Sequence, residues 1–233
     1  MKDLARASEA SYSQEAPEGY ERHNDLSTAD ISVYKHKVNP HHIIAHRGTD
    51  VHSNTISKQL KADLNIGVGN KSGDKLHKDR AKQTEDIVKS IKESNPDHTI
   101  HLTGHSLGGS TVQHALVKSK IVRDNVKTVD TFNAGSSIIG GKPLASKSQA
   151  YKDIAAKSTH HHILGDKISE NVGSAMIGRV KKYNVKTKPS IAQHILKLAK
   201  PILQKSAIGR AISMGGSTVL GTVQSHSLKN FTK

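Results

Sequence analysis

The eleven residues TIHLTGHSLGG, Thr99 to Gly109, constrain the fold more than any other stretch of the chain. Residues 99–104 alternate like a β-strand. Residues 107–119 set Leu107, Val112, Ala115 and Leu116 on one face of a helix. Between them stands G-x-S-x-G, with no residue left over for a loop. Taken alone, such a match arises by chance in a chain this long with odds on the order of one in ten. A strand before it and a helix after it turn it into a sharp strand-to-helix corner with Ser106 at the apex. Gly104 and Gly108 are required there because side chains would collide with the neighbouring strand and helix. The corner exposes the serine hydroxyl. It also aims the first N–H groups of the helix at the same point, so that of Leu107 is a natural oxyanion donor.

The surrounding pattern supplies the sheet that such a corner needs. Residues 3–14 read as a short helix with Leu4, Ala7 and Ala10 or Ser11 on one face. Residues 31–37 and His42–Ala45 read as strands that could pair as a hairpin around Asn39-Pro40. A helical pattern at 76–93, with Leu76, Ala81, Thr84, Ile87, Val88 and Ile91, ends at Asn95-Pro96. Val126–Phe132, His161–Leu164 and residues 178–187 read as further strands, the last an outer one, and residues 189–208 as a basic helix. Strand–helix–strand–helix–strand predicts an α/β chain with a mainly parallel central sheet flanked by helices. Its 233 residues suit one such domain spanning 1–233.

Composition narrows the function classes. Aromatics make up only 3% of the residues, with no Trp, so any core is mostly aliphatic. The net charge of +15 favours an anionic neighbour: nucleic acid, an anionic membrane surface or a crowded acidic particle. That charge is spread along the chain, no nucleic-acid motif appears and stacking aromatics are scarce, so nucleic acid is not expected as the main partner. The absence of cysteine excludes disulfides and a thiol nucleophile. The polar N-terminus MKDLARASEASYSQ lacks the apolar run of a signal peptide, and no run of 18 apolar residues exists. A cytoplasmic or particle-associated protein is the expectation.

A serine hydroxyl is a poor nucleophile at neutral pH. It needs a histidine base, and the base needs an acid that fixes its tautomer. Downstream of Ser106 the acids in question are Asp130, Asp153 and Asp166. Asp130 lies within a strand pattern and Asp153 on a helical one, YKDIAAK. Asp166 follows a strand and a glycine, at a strand end. The histidines after Ser106 are His114, His160, His161, His162, His194 and His226. His114 lies on the helix after the serine and points away, and His194 falls inside the basic helix. His226, in the polar stretch VQSHSLKNF, fits best. The run THHHILGDKI invites a metal reading. Only His160 and His162 share a strand face, however, and spacing offers no third ligand, so no metal is expected.

These motifs together resemble the class 3 lipase family, the fungal-lipase-like branch of the α/β-hydrolases. IIAHRGTD is similar to that family's strand ending in R-G-T/S, and HLTGHSLGG to its nucleophile corner. VKTVDTFNAG resembles the following strand, ILGDKIS the acid loop and SHSLKNF the C-terminal histidine motif. The resemblance covers about residues 30–230. It implies an α/β-hydrolase fold with Ser106 as nucleophile, Asp166 as acid and His226 as base. It also implies Thr49 as the second oxyanion donor beside Leu107, and a structural role for Arg47, pairing a carboxylate or backbone carbonyls. No cofactor is implied.

Three features set this chain apart from the family pattern. It lacks a signal-peptide run, while many family members are exported. His46 stands before R-G-T where an aromatic is usual, and Gly135 stands where the related strand often runs into proline. The lid position, Val51–Leu60, offers little apolar cover beyond Ile56 and Leu60. An esterase or phospholipid acyl hydrolase is therefore expected ahead of a triglyceride lipase acting at an oil surface. Residues 191–212 mix Ile191, Ile195, Leu198 and Ile202 with lysines. They read first as an ordinary domain helix, and second as a membrane-surface helix bringing the enzyme to anionic lipid. The alternative to a lipid ester hydrolase is a catalytically idle protein of the same fold that binds anionic membrane or nucleic acid.

Overall fold

The computed structural model describes residues 1–48, 71–135, 145–164, 166, 176–184 and 229–232. The sequence readings at 49–70 and 185–228, which include the lid position and the basic helix, lie outside the described residues.

The described chain runs α1 (Lys2–Ser13), β1 (Tyr20–Arg22), a single 3₁₀ turn, β2 (Ile31–His36), β3 (His41–His46), α2 (Lys71–Ser94), β4 (Thr99–His105), α3 (Leu107–Lys118), α4 (Lys120–Asn125), β5 (Val126–Phe132), α5 (Gln149–Lys157), β6 (Ser158–Ile163), β7 (Arg179–Tyr183) and α6 (Lys229–Thr232). The strands form one sheet in chain order, β1 through β7. β1, β2 and β3 pair antiparallel, with Val33 opposite Ile44 in the expected hairpin. From β3 onward every pairing is parallel. Parallel crossovers that step in one direction and keep the right-handed rule set their helices on one face. Accordingly, Val88 and Ile91 of α2, Val112 and Leu116 of α3, Val122 of α4 and Ile154 of α5 pack with Val33, Ile44, Ile100, Leu102 and Val129 of the sheet. The opposite face carries Leu4, Ala5 and Ala7 of α1 and Phe231 of α6 against Tyr34, Ile43, Ala45, Phe132 and Ile163. The α/β class with a mainly parallel sheet is therefore present, and no helix among the described residues is long and apolar enough to cross a membrane.

The elements differ from the sequence reading at α2, β6 and β7. α2 starts at Lys71, five residues before its first apolar position. Its buried face runs His77, Arg80, Ala81, Thr84, Ile87, Val88 and Ile91, while Leu76 is only half-buried. β6 begins at Ser158, ahead of the apolar residues that signalled it. β7 is an edge among the described strands, but the expected alternation is not reflected in burial, since residues 179–182 are all exposed.

Histidine supplies many of the rings that phenylalanine and tryptophan usually provide in a core. His46 is fully buried, and burial, reinforced by the charges of Arg80 and His77, holds it down to about 3. Burial likewise holds His42 and His162 down to about 4 and lowers His160. All lie below the ordinary value of 6.5, so as pH falls the unfolded chain takes up protons first. For His46, His42 and His162 the stability held by the neutral ring is complete well above pH 6.5 and is lost progressively between 6.5 and 3–4. For His46 the loss between pH 8 and pH 5 is about 2 kcal/mol. Urea midpoints should change little from pH 8 to 6.5 and fall below that, and His46→Phe should recover about 2 kcal/mol of the difference at pH 5; equal pH slopes for the two proteins would contradict this.

Candidate active site

Ser106 lies between β4 and α3 with φ 54° and ψ −124°. A side-chain-bearing residue adopts such a backbone only when its surroundings force it, and the strain is characteristic of functional corners. Here the forcing is steric. A Cβ on Gly104 would stand 2.5 Å from the backbone of Gly108. One on Gly108 would overlap the carbonyl oxygen of His46 and stand 2.9 Å from the carbonyl carbon of Arg47. The strand, the first turn of α3 and the end of β3 are thus in direct backbone contact. The Ser106 N–H donates to the Phe132 carbonyl at 3.0 Å, tying the apex to β5. The hydroxyl-bearing residue remains half-buried. Leu107 opens α3, so its N–H is one of the four that a helix leaves without an internal acceptor, and the helix dipole points its positive end there.

The end of β3 closes on this corner. Gly48 lies so near that a Cβ on it would meet the Tyr12 hydroxyl, with His105 O at 2.6 Å and Ser106 Cβ at 3.3 Å. Thr49, the expected second oxyanion donor, is the next residue and lies outside the described residues. Arg80 of α2 fixes the strand end: its guanidinium is 2.8 Å from Asp30 and donates to the Arg47 carbonyl at 2.9 Å. The Arg47 guanidinium itself lies 5.6 Å from the centre of the Tyr12 ring. Tyr12 reaches the corner from α1, its hydroxyl 2.9 Å from Nδ1 of His105. The sequence marked Tyr12 only as part of a helical stretch, and nothing in its spacing pointed to the site.

His46 braces the same region from below. Its Nδ1 is 2.8 Å from the Thr111 hydroxyl on α3, and its Nε2 is 3.0 Å from that of Thr84 on α2. Each hydroxyl also lies in donating distance of a helix carbonyl, Gly108 at 2.8 Å and Arg80 at 2.7 Å. A neutral imidazole carries one N–H, so it donates to one threonine and accepts from the other. The ring therefore couples both helices to the end of β3, a task an aromatic hydrocarbon at this position could not perform.

Asp166 follows the C-terminal end of β6, where its N–H donates to the Ile163 carbonyl at 3.1 Å, and it is completely buried. β6 is two strands from β4, about 10 Å across the sheet. Asn133, at φ 44°, holds the intervening strand in line: its N–H donates to His161 O at 2.8 Å and its Oδ1 accepts from Ile163 N at 2.9 Å. His226 lies outside the described residues, as does His194. His114 is buried under the helices, its ring 5.3 Å from that of His77. Asp153 is on α5.

Of the three consecutive histidines, His160 and His161 are hydrogen-bonded within the protein, whereas the buried Nε2 of His162 has no hydrogen-bond partner among the described residues. His160 Nε2 donates to Ile177 O at 3.0 Å, and its Nδ1 is 2.7 Å from the Thr131 hydroxyl. His161 Nε2 donates to Asp130 at 2.6 Å, with Nδ1 2.8 Å from the Tyr183 hydroxyl. Asp166 favours the charged form of His162, but burial outweighs it. The strand position of Asp130 thus has a partner that spacing did not reveal, since the pair forms diagonally across neighbouring strands.

Gly108→Ala should reveal the backbone contact. The added methyl faces a carbonyl that cannot rotate away, so unfolding free energy should drop by about 1–3 kcal/mol. A variant of wild-type urea midpoint would refute the contact.

None of the curated proteins matches this sequence. Among solved structures, the Lip2 lipase of Yarrowia lipolytica is similar, with 15% identity, a TM-score of 0.53 and coverage of 82% of this chain and 80% of that one. A triacylglycerol lipase from Penicillium expansum is 20% identical, with a TM-score of 0.44 and coverage of 78% and 75%. The first of these supports the fold. The family model "Lipase (class 3)" matches residues 43–170, more than half of the chain, from the middle of β3 to just beyond Asp166. The chain belongs to the class 3 lipases, and with them to the α/β-hydrolase carboxylic ester hydrolases that act on lipid esters.

Proposed function

We propose that Ser106, His226 and Asp166 form a catalytic triad within one α/β-hydrolase domain over residues 1–233, with Thr49 and Leu107 as oxyanion donors. The observation that carries this reading is the strained backbone of Ser106 at the mouth of α3, which presents its hydroxyl beside a helix N-terminus. His226 takes the hydroxyl proton as Ser106 Oγ attacks the acyl carbonyl. The oxyanion receives N–H donors from Leu107 and Thr49. The intermediate collapses as His226 delivers the proton to the leaving alcohol, leaving an acyl-serine. Water, deprotonated by the same imidazole, then releases the fatty acid and restores Ser106. Asp166 holds the imidazole in the tautomer that presents an acceptor nitrogen to serine. No metal or cofactor takes part.

The substrate class follows from charge and from the sparse apolar content of the lid position. A surface of net charge +15 favours anionic aggregates over neutral oil, so acyl esters of anionic phospholipids or short soluble esters suit it better than triglyceride.

Hydrolysis of p-nitrophenyl esters of graded chain length, with and without anionic vesicles and with a chelator control, tests both parts. Ser106→Ala should lose on the order of 10⁴-fold or more in kcat, and Asp166→Asn about 10³–10⁴-fold, with the chelator without effect. Activity surviving in Ser106→Ala would overturn the triad. A clear preference for emulsified triglyceride would overturn the substrate assignment.

A further inference from the structure

The short helix α6 places Phe231 in a box of rings. Its ring centre lies 5.0 Å from that of Phe132, 5.8 Å from Tyr183 and 6.3 Å from His161, and the residue is 6% exposed. The three walls come from consecutive strands β5, β7 and β6. They are held together independently of Phe231, since Phe132 stacks on His161 at 5.0 Å and His161 is pinned between Asp130 and Tyr183. The box is therefore ready-made, on the same face as α1. It is also next to the corner, because the carbonyl of Phe132 accepts the Ser106 N–H at 3.0 Å.

Phe231 follows His226 by five residues. A chain of five residues spans at most roughly 17 Å. Phe231 is seated against Phe132, the partner of Ser106, so chain length alone keeps His226 within that radius of Phe231. A seated anchor thus replaces a wide search by a local one, raising the effective concentration of base at the serine.

We propose that Phe231 is a positioning residue that holds the candidate base at Ser106 by docking in the Phe132–His161–Tyr183 box. This rests on His226 being the base, and the experiment separates the two claims. Ester hydrolysis is measured for wild type, His226→Ala, Phe231→Ala and Phe231→Leu, each with and without added imidazole, and folding is followed by thermal unfolding. His226→Ala should be nearly inactive and regain activity with imidazole, since a diffusing base replaces the missing one. Phe231→Ala should lose 10-fold or more in kcat while KM for a short ester moves less than about 2-fold, and it too should regain activity with imidazole. Phe231→Leu, which refills the box, should lose less, and it carries the test if the alanine variant does not fold. Loss in the Phe231 variants without imidazole rescue, alongside rescue in His226→Ala, would show a distorted corner and overturn the positioning role while keeping the base. Full activity in Phe231→Ala would also overturn it. Full activity in His226→Ala would remove the base assignment itself, and the proposal with it.

Discussion

The contact between the first turn of α3 and the carbonyl of His46 leaves no room for a side chain, and the geometry around Ser106 depends on it. Backbone meeting backbone is an unforgiving constraint, because neither partner has rotamers with which to yield. It fixes how far α3 can retreat from β3, and hence where the helix N-terminus points. The strained dihedrals of Ser106 are the consequence: the chain must turn from strand to helix within one residue. The energy stored there, of order 1–3 kcal/mol for such a conformation, is held by the packing of α3 in the larger core.

Much of this was legible in the sequence because glycine spacing and apolar periodicity report directly on backbone geometry. GHSLGG between a strand and a helix permits few arrangements, and the order of the remaining elements follows from local pattern. What escaped was the part carried by polar residues acting as core. His77 and Arg80 share the buried face of α2 with Ile87 and Val88, and no hydropathy rule would place them there. Arg80 is buried because Asp30 and the Arg47 carbonyl both meet it, and those partners are distant in sequence. Tyr12 and Asn133 are likewise explained by what they touch across the fold. The pairing of His161 with Asp130 required knowing the register of β5 against β6.

The histidines resolve into distinct physical roles. His46 is a coupling between two helices and a strand. His161 is a wall of the aromatic box. His36, His41 and Tyr20 gather at the opposite end of the sheet, with ring centres 4.7–5.6 Å apart. In a chain with two phenylalanines and no tryptophan, imidazole supplies flat surface and two directional nitrogens at once. The nitrogens make each ring choosy about its neighbours, which gives a largely aliphatic core a specificity that alkyl packing does not provide.

The strict chain order of the sheet has a bearing on how the protein comes into being. Among the described strands none must be inserted later between two that have already paired, so this part of the sheet can grow at one edge as polypeptide emerges from the ribosome. Gly48, Ser106 and Asp166 follow β3, β4 and β6, and they therefore arrive in the order in which they stand across the sheet. The corner that bears the serine can be braced on the β3 side before the strand bearing the aspartate exists. Assembly and translation run in the same direction.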